Sequence, residues 1–251
     1  MYTQEQKDFL HNEGYLLLDM KELYPQEFEK AETYLQKLIE NKEFNVLLTN
    51  HNHPAIPSEV KSLIDELGLE KVKNDEIHGD QDKLEELHRF IVSLDDYEWV
   101  GQIWMYHHHK NEDLANLFIQ FRQDIGSFFY DLDEAQLKEI KESSNHAEYT
   151  LYLPGGMTPN HQDGCESGRM MVFLTYFSKD YEGGGGTFKF LDVHGEEKEI
   201  IPEYGKVLLL DFTDKEDTPR NNLYHEVTKI KSFRRYCYLG SINSVNNVNF
   251  C

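Results

Sequence analysis

The spacing of hydrophobic residues along the chain changes near residue 145. Before that point, apolar residues recur every three or four positions, which is the period of an amphipathic helix. This pattern predicts helices over residues 26–42, 57–67, 82–94 and 111–130. Thr3 is a suitable N-cap for a further helix at the start of the chain, and Asp131 or Asp133 for one over residues 134–141. The alternation over residues 99–106 predicts one strand among these helices.

After His146 the chain consists of short β-type runs separated by Gly, Pro, Asn and Asp. The predicted strands lie near residues 148–153, 170–177, 187–191, 197–201, 206–212, 223–229 and 234–242. Many short strands at this spacing indicate a β-sandwich or barrel. We therefore predict an α+β fold in a single domain, 1–251. Residues 1–145 would be a mainly helical support for a β core over 146–243, and residues 244–251 would be a tail.

The charge and the cysteine content narrow the range of partners. Lys and Arg number 25 and Asp and Glu 46, so the formal net charge is −21. Polyanions would be repelled, so we expect neither nucleic acid nor an anionic membrane as a partner. A basic substrate would be attracted, although an acidic surface also serves solubility alone.

The three scattered cysteines (Cys165, Cys237 and Cys251) and the lack of a secretory leader pattern favour a reducing, cytoplasmic location.

The triplet His161-Gln162-Asp163 is the most informative short motif. On an extended segment, residues two apart project to the same side, so this imidazole and this carboxylate converge on one point. His225 follows 64 positions after His161 in another β-type run and supplies a third candidate ligand. Two histidines and one carboxylate form the ligand set of mononuclear non-haem iron oxygenases. Either element alone is common by chance, and the prediction depends on their combination.

Arg235, ten positions after His225, adds a cation to the same predicted region. A guanidinium fork on a strand pairs well with a carboxylate, as the binding of a dicarboxylate beside a metal would require. Arg234 competes for this role, but successive strand residues face opposite ways, so only one of the two points inward. If it is Arg235, the inward set is Phe233, Arg235, Cys237, Leu239 and Ser241.

Residues 149–242 resemble the prolyl 4-hydroxylase-like branch of the Fe(II)/2-oxoglutarate-dependent dioxygenases. The motif Tyr152-x-x-Gly155-x-x-Thr158-x-x-His161-x-Asp163 is similar to the family's Tyr-x-x-Gly-x-x-Tyr-x-x-His-x-Asp and departs from it at Thr158. Further segments match in the family's order: 169–181, the Gly-rich turn before Phe at 184–188, Pro-x-x-Gly at 202–205, and His-Glu-Val at 225–227.

The resemblance implies a double-stranded β-helix (jelly-roll) core that binds Fe(II), 2-oxoglutarate as cosubstrate and dioxygen, with ascorbate as a candidate reductant. It favours Arg235 over Arg234 as the anchor of 2-oxoglutarate, because Arg235-Tyr236 matches the family's Arg-Tyr pair. Tyr152 and Tyr176 would donate hydroxyl hydrogen bonds to 2-oxoglutarate, and for each the alternative is a core tyrosine. Asp163 favours hydroxylation, since related halogenases lack this carboxylate.

The resemblance also suggests the substrate, a protein or peptide side chain as in prolyl hydroxylases. The alternative is hydroxylation of a free amino acid or another small metabolite. A second alternative is a non-enzymatic, metal-binding jelly-roll protein. Succinate release would exclude this last hypothesis.

Three other motifs are weaker candidates for chemistry. His107, His108 and His109 are consecutive, so their side chains diverge in a helix or a strand and do not easily chelate one ion. His51 and His53 have ligand spacing but no carboxylate pattern after them. The glycines at 183–186 lack the Gly-Lys-Ser/Thr of a phosphate loop, and we interpret them as a tight hairpin.

Overall fold

The computed structural model describes residues 2–49, 56–72, 76–95, 97, 102–108, 114, 116–142, 147–161, 169–212 and 224–243. The helices bounded in these ranges are α1 (Gln4–Glu13), α2 (Met20–Leu23), α3 (Pro25–Asn41), α4 (Ser58–Leu67), α5 (Gln81–Ser93), α6 (Ile119–Tyr130) and α7 (Glu134–Glu142). None of these helices combines the length and the apolar character needed to cross a bilayer.

The strands build two antiparallel sheets. They are β1 (Tyr15–Asp19), β2 (Asn45–Thr49), β3 (Glu70–Lys71), β4 (Glu76–His78), β5 (Gln102–His108), β6 (Ala147–Tyr152), β7 (Thr158–His161), β8 (Arg169–Tyr176), β9 (Phe188–Leu191), β10 (Glu197–Ile200), β11 (Lys206–Asp211), β12 (His225–Val227) and β13 (Arg235–Asn243). The large sheet has nine strands in the order β1-β11-β8-β13-β6-β5-β2-β4-β3. The small sheet has four, in the order β10-β9-β12-β7. The fold is therefore α+β, as predicted.

The two sheets pack face to face, and the helices cover the other face of the large sheet. Leu174 and Leu208 of the large sheet share one buried cluster with Phe188 and Phe190 of the small sheet. On the helix side, a second cluster joins the apolar faces of the helices to residues such as Phe173. From β6 onward the chain alternates between the sheets: β6, β8, β11 and β13 lie in the large sheet, and β7, β9, β10 and β12 in the small one.

Helix ends follow the local sequence closely. Thr3 forms a capping box with Gln6, which starts α1, and Gly14 ends α1 in the left-handed conformation. Of the two aspartates proposed as the cap of α7, Asp133 accepts the backbone N–H groups of the first turn, whereas Asp131 is the C-cap of α6. The predictions of these caps are confirmed.

The strand predicted over residues 99–106 is confirmed, but four further strands among the first 145 residues were not predicted. That strand is observed as β5, and β1 to β4 lie there as well. The runs Tyr-Leu-Leu-Leu-Asp and Asn-Val-Leu-Leu-Thr, which form β1 and β2, lack the alternation that identifies a half-buried strand. They become strands because the partner strands β11 and β5 take up their backbone hydrogen bonds. Every strand predicted after residue 146 is observed.

Two further differences lie close to the site. β7 was not predicted as a strand because it contains Pro159, which is tolerated because β7 is an edge strand. The hairpin interpretation of the glycines at 183–186 was also wrong, since β8 and β9 on either side of them belong to different sheets. Gly184 and Gly186 instead bond to the segment after β12, through Lys231 and Thr228.

Candidate functional site

Two histidines meet where β7 and β12 lie side by side in the small sheet. His161 ends β7, His225 begins β12, and the two are register partners. Their ring centroids are 4.2 Å apart. Because directly opposed residues of an antiparallel pair project to the same face, both imidazoles reach the cavity between the sheets.

The orientation of each imidazole is set by a neighbour. Nδ1 of His161 lies 3.0 Å from the carbonyl oxygen of Pro159. A carbonyl only accepts hydrogen bonds, so Nδ1 is the donor, and in the neutral ring Nε2 carries the lone pair. His225 is 9% exposed and stacks on Phe188, with 5.3 Å between the ring centroids. The Nδ1–H tautomer of His161 is the one in which Nε2 can ligate a metal.

Asp163, the predicted third ligand, lies outside the described residues, as do His51, His53, His109 and the 214–222 loop. His107 and His108 lie in β5. Among the residues that are described, no group of three or more His, Cys, Asp or Glu side chains is placed to hold a metal ion. The two histidines therefore form the described part of the predicted metal centre.

Arg235 lies on the inner face of the large sheet, between two tyrosine rings. Its side chain is 1% exposed. The guanidinium carbon lies 5.2 Å from the ring centroid of Tyr152 and 5.3 Å from that of Tyr176. Nε and Nη2 of this arginine find no hydrogen-bond acceptor in the described part of the chain. The result is a buried cation held by aromatic faces, with unused donor atoms.

The two tyrosines differ in their hydroxyl contacts. The Tyr152 hydroxyl lies 2.8 Å from Oγ1 of Thr158, whereas the Tyr176 hydroxyl has no hydrogen-bond partner within the described ranges. Burial raises the pKa of both phenols, and the charge of Arg235 offsets part of that effect. Both therefore remain O–H donors at neutral pH.

Arg234, the competing arginine, faces the other way and is already paired. Its Nη1 and Nη2 donate to the two carboxylate oxygens of Glu85 on α5, at 3.0 and 2.8 Å. The side chain is 45% exposed. The alternation predicted for β13 is observed, with Cys237 in the cluster between the sheets and Tyr238 in the cluster on the helix side.

A cavity of about 180 Å³ connects the two histidines to Arg235. It is far larger than the roughly 30 Å³ that one water occupies in the liquid. Its polar lining includes Tyr152, Thr150 and Thr158, and its apolar wall consists of Val172, Leu174, Phe188, Leu210, Val227 and Leu239. Tyr176 contacts the guanidinium but is not among the residues that line the cavity. The two imidazoles and the guanidinium of Arg235 thus border one largely apolar cavity.

Sequence reasoning missed the hydrogen bond of Thr158 and the protonation state of the Cys237 thiol. Thr158 was noted only as a departure from the family motif, yet it is the hydrogen-bond partner of Tyr152. Cys237 is fully buried in the cluster between the sheets. Burial raises the pKa of its thiol to about 11, so the sulfur stays protonated at neutral pH and is a poor metal ligand.

No protein-family model matches the sequence, and no curated protein sequence matches it either. Solved structures do match. A prolyl 4-hydroxylase from Pseudomonas putida has a TM-score of 0.56 and 11% identity over 96% of this chain and 98% of that chain. The chain has the prolyl 4-hydroxylase fold.

A prolyl hydroxylase from Trichoplax adhaerens, in complex with a hypoxia inducible factor oxygen degradation domain peptide fragment, has a TM-score of 0.53 and 10% identity. The match covers 95% of this chain and 87% of that chain. The resemblance to prolyl 4-hydroxylases that the motifs indicated is therefore confirmed at the level of the fold.

Proposed function

We propose that this protein is an Fe(II)- and 2-oxoglutarate-dependent oxygenase that hydroxylates a C–H bond in a protein or peptide side chain. Its catalytic core is then the jelly roll, in one domain with the helices. The alternation of β6 to β13 between two facing sheets supports this assignment. So does the prolyl 4-hydroxylase fold.

The observation that carries the proposal is the state of Arg235. A guanidinium that is 1% exposed, with Nε and Nη2 unpaired among the described residues, is costly to bury. An anion that enters the cavity removes that cost. A carboxylate matches the fork of an arginine best. Arg235 therefore fits the distal carboxylate of 2-oxoglutarate, and Arg234 is engaged elsewhere by Glu85.

The histidines suit the other end of the cosubstrate. His161 and His225 share one face of the β7–β12 pair, and the contact with Pro159 leaves the lone pair of His161 on Nε2. With Asp163 they would hold Fe(II) as two imidazoles and a carboxylate. Tyr152 lines the cavity and would donate its hydroxyl to 2-oxoglutarate. Tyr176 lies behind the cavity lining against the guanidinium, and its hydroxyl would donate where the distal carboxylate reaches Arg235.

The chain contributes binding, orientation and exclusion of water. His161, Asp163 and His225 would hold Fe(II) and Arg235 would hold 2-oxoglutarate, which together would supply the oxidising chemistry: one oxygen atom of dioxygen would enter the substrate as a hydroxyl group and the other succinate, with release of carbon dioxide. The apolar side chains that line the cavity, such as Leu174 and Leu210, would offer water no hydrogen bonds on that side of the site. The buried Arg235 would hold 2-oxoglutarate in one orientation.

A protein or peptide substrate is supported by the peptide that the Trichoplax enzyme, of the same fold, holds in its complex. A net charge of −21 favours substrates that carry basic residues. Hydroxylation of a small metabolite is the alternative to this substrate class.

The test is 2-oxoglutarate turnover. Fe(II)-loaded protein is given 2-oxoglutarate and oxygen, and succinate is measured with proline-containing peptides, with free amino acids and with neither. We expect succinate to rise with peptides, to be lost in Arg235→Gln and to be retained in Arg234→Gln. Stimulation by free amino acids alone would move the substrate to the small-metabolite class. If Fe(II)-loaded protein forms no succinate under any condition, the oxygenase assignment is wrong.

A further inference from the structure

The first strand of the large sheet has an unused edge. β1 pairs only with β11 and is the terminal strand of that sheet. Gly14 accepts from Asp211, and Met20 donates to Gly205, so the even-numbered residues direct their backbone groups toward β11. The N–H and C=O groups of Tyr15 and Leu17 therefore point outward. In the described part of the chain they meet no backbone partner.

The other sheet edges carry features that discourage strand addition. β3 is only two residues long, Glu70–Lys71. β10 reads Glu-Lys-Glu-Ile, with exposed charges, and β7 contains Pro159. Charges, proline and short length are the means by which proteins protect sheet edges. β1 reads Tyr-Leu-Leu-Leu-Asp and has none of them except its terminal aspartate. Such an edge is suited to pairing.

Exposed apolar side chains accompany this edge. Leu17 is 39% exposed, and Phe9 of α1 is 41% exposed. Phe9 packs edge-to-face on Tyr15, with ring centroids 5.4 Å apart. An open groove runs between the start of α1 and β1, lined by residues that include Glu5, Phe9 and Leu17. Backbone groups without partners and apolar side chains thus occur on one surface.

We propose that β1 is a homodimer interface, in which it pairs with β1 of a second copy of this chain. The pairing is antiparallel, about a two-fold axis at Leu17. Leu17 then lies opposite Leu17 of the second copy, and the two exchange both backbone hydrogen bonds. The Asp19 N–H reaches the Tyr15 carbonyl of the second copy. The Tyr15 N–H reaches the Asp19 carbonyl of the second copy, which has two lone pairs and can accept this bond while Asp19 caps α2.

The charges at the ends of β1 are complementary in this arrangement. Glu13 precedes the strand, and Lys21 and Lys206 lie at its other end, beside Asp19. Antiparallel pairing brings Glu13 of one copy toward Lys21 of the other, twice by symmetry. Two side chains of Leu17 meet on one face, which buries the exposed apolar surface. A second copy related by a two-fold axis provides the backbone pairing, the contact between the Leu17 side chains and both charge pairs with the same surface. This favours a second copy over an unrelated peptide as the partner.

Association is expected to be reversible and to depend on salt. A single strand pair is smaller than a standard protein interface. Each copy carries a net charge of −21, so the copies repel one another at long range. Salt screens that repulsion. The dissociation constant of the dimer should therefore fall as ionic strength rises. This holds up to the ionic strength at which screening also removes the attraction between Glu13 and Lys21.

Sedimentation velocity over a wide range of protein and salt concentration tests the proposal with matched variants. Leu17→Lys places a charge at the two-fold axis, and Ile201→Lys makes the same change at an apolar residue that is 45% exposed and lies outside β1. Leu17→Pro removes the outward N–H without removing a bond to β11. We expect a concentration-dependent dimer in the wild type and in Ile201→Lys. The dissociation constant should rise at least about tenfold in both Leu17 variants, with melting temperatures close to that of the wild type.

A wild-type protein that stays monomeric at every concentration and salt level would overturn the proposal. So would a dimer that persists in both Leu17 variants. If the monomer instead binds an extended peptide at this edge, the edge serves a different partner and the homodimer is wrong. Each of these results is independent of oxygenase activity.

Discussion

His225 lies directly opposite His161 in the β12–β7 pair, and their ring centroids are 4.2 Å apart. From this pairing we predict that His161→Ala and His225→Ala each weaken Fe(II) binding at least about a hundredfold, because a direct ligand contributes more than the supporting contacts around it. Anaerobic titration calorimetry with Fe(II) measures the effect. The control is His194→Ala, a histidine on the β9–β10 turn whose side chain is 58% exposed. Wild-type affinity in both site variants would contradict the metal assignment.

Removing the hydroxyl should affect different properties at the two tyrosines beside Arg235: ligand affinity at Tyr176 and stability at Tyr152. In Tyr176→Phe we expect 2-oxoglutarate affinity to fall about fivefold, while the free energy of unfolding without ligand stays the same or rises slightly, since that hydroxyl has no partner in the described residues. In Tyr152→Phe, loss of the bond to Thr158 should lower the free energy of unfolding by about 1 kcal/mol.

Ligand titration and urea unfolding of both tyrosine variants give these values. If 2-oxoglutarate binds Tyr176→Phe as tightly as the wild type, Tyr176 is only a core residue.

The glycine run before β9 offers a matched pair of substitutions. Gly185 and Gly183 both have positive φ, 84° and 88°. A Cβ at Gly185 would lie 1.8 Å from the carbonyl oxygen of Lys229, whereas at Gly183 nothing lies within 4 Å. We therefore predict that Gly183→Ala costs about 1 kcal/mol, for the left-handed backbone alone. Gly185→Ala should cost about 3 kcal/mol or more, since the segment after β12 must move.

Denaturant unfolding of the two alanine variants checks this difference. Equal losses of stability would mean that the close approach of Gly185 to Lys229 is not maintained in solution.

Buried His88 of α5 predicts a pH dependence of stability. Burial lowers its pKa from 6.5 to about 4, with smaller effects from Glu85, Arg89 and Arg234. The unfolded chain takes up a proton near pH 6.5 and the folded chain does not. The free energy of unfolding therefore falls as pH drops from about 6.5 toward 4, and this histidine has no effect above that range. Relative to the wild type, His88→Leu should gain about 2 kcal/mol on going from pH 8 to pH 5.

Urea unfolding at the two pH values measures this gain, and the exposed His194→Leu is the control. A gain of the same size in the control, or none in His88→Leu, would show that His88 is not held neutral by burial.

How far the sequence predicts the fold depends on the kind of strand. The strands after residue 146 are separated by Gly, Pro, Asn and Asp, and all of them were predicted except β7, which contains Pro159. The runs that form β1 and β2 are apolar without alternation, so local pattern does not distinguish strand from buried helix. Only their partners β11 and β5, which are distant along the chain, decide the outcome.

In the candidate site, too, features set by the local sequence were predictable, whereas contacts between distant parts of the chain were not. His161 and Arg235 were singled out from spacing and motif. Strand alternation predicted that only one of Arg234 and Arg235 points inward, and the family's Arg-Tyr pair favoured Arg235. The partner of Arg234 could not be predicted, because Glu85 lies 149 positions away on a helix. Nor could the unpaired donors of Arg235, which result from the packing of two sheets rather than from any local pattern.

The binding of 2-oxoglutarate to the iron site tests the central claim most directly. Anaerobic protein is loaded with Fe(II), titrated with 2-oxoglutarate and monitored for the weak visible metal-to-ligand charge-transfer band, in the wild type, Arg235→Gln and Arg234→Gln. We predict that the band forms in the wild type and in Arg234→Gln at similar 2-oxoglutarate concentrations. In Arg235→Gln it should require at least about tenfold more, for the loss of roughly 1.5–3 kcal/mol of charged hydrogen bonding. No band in the wild type, or the same titration in Arg235→Gln as in the wild type, would contradict the account.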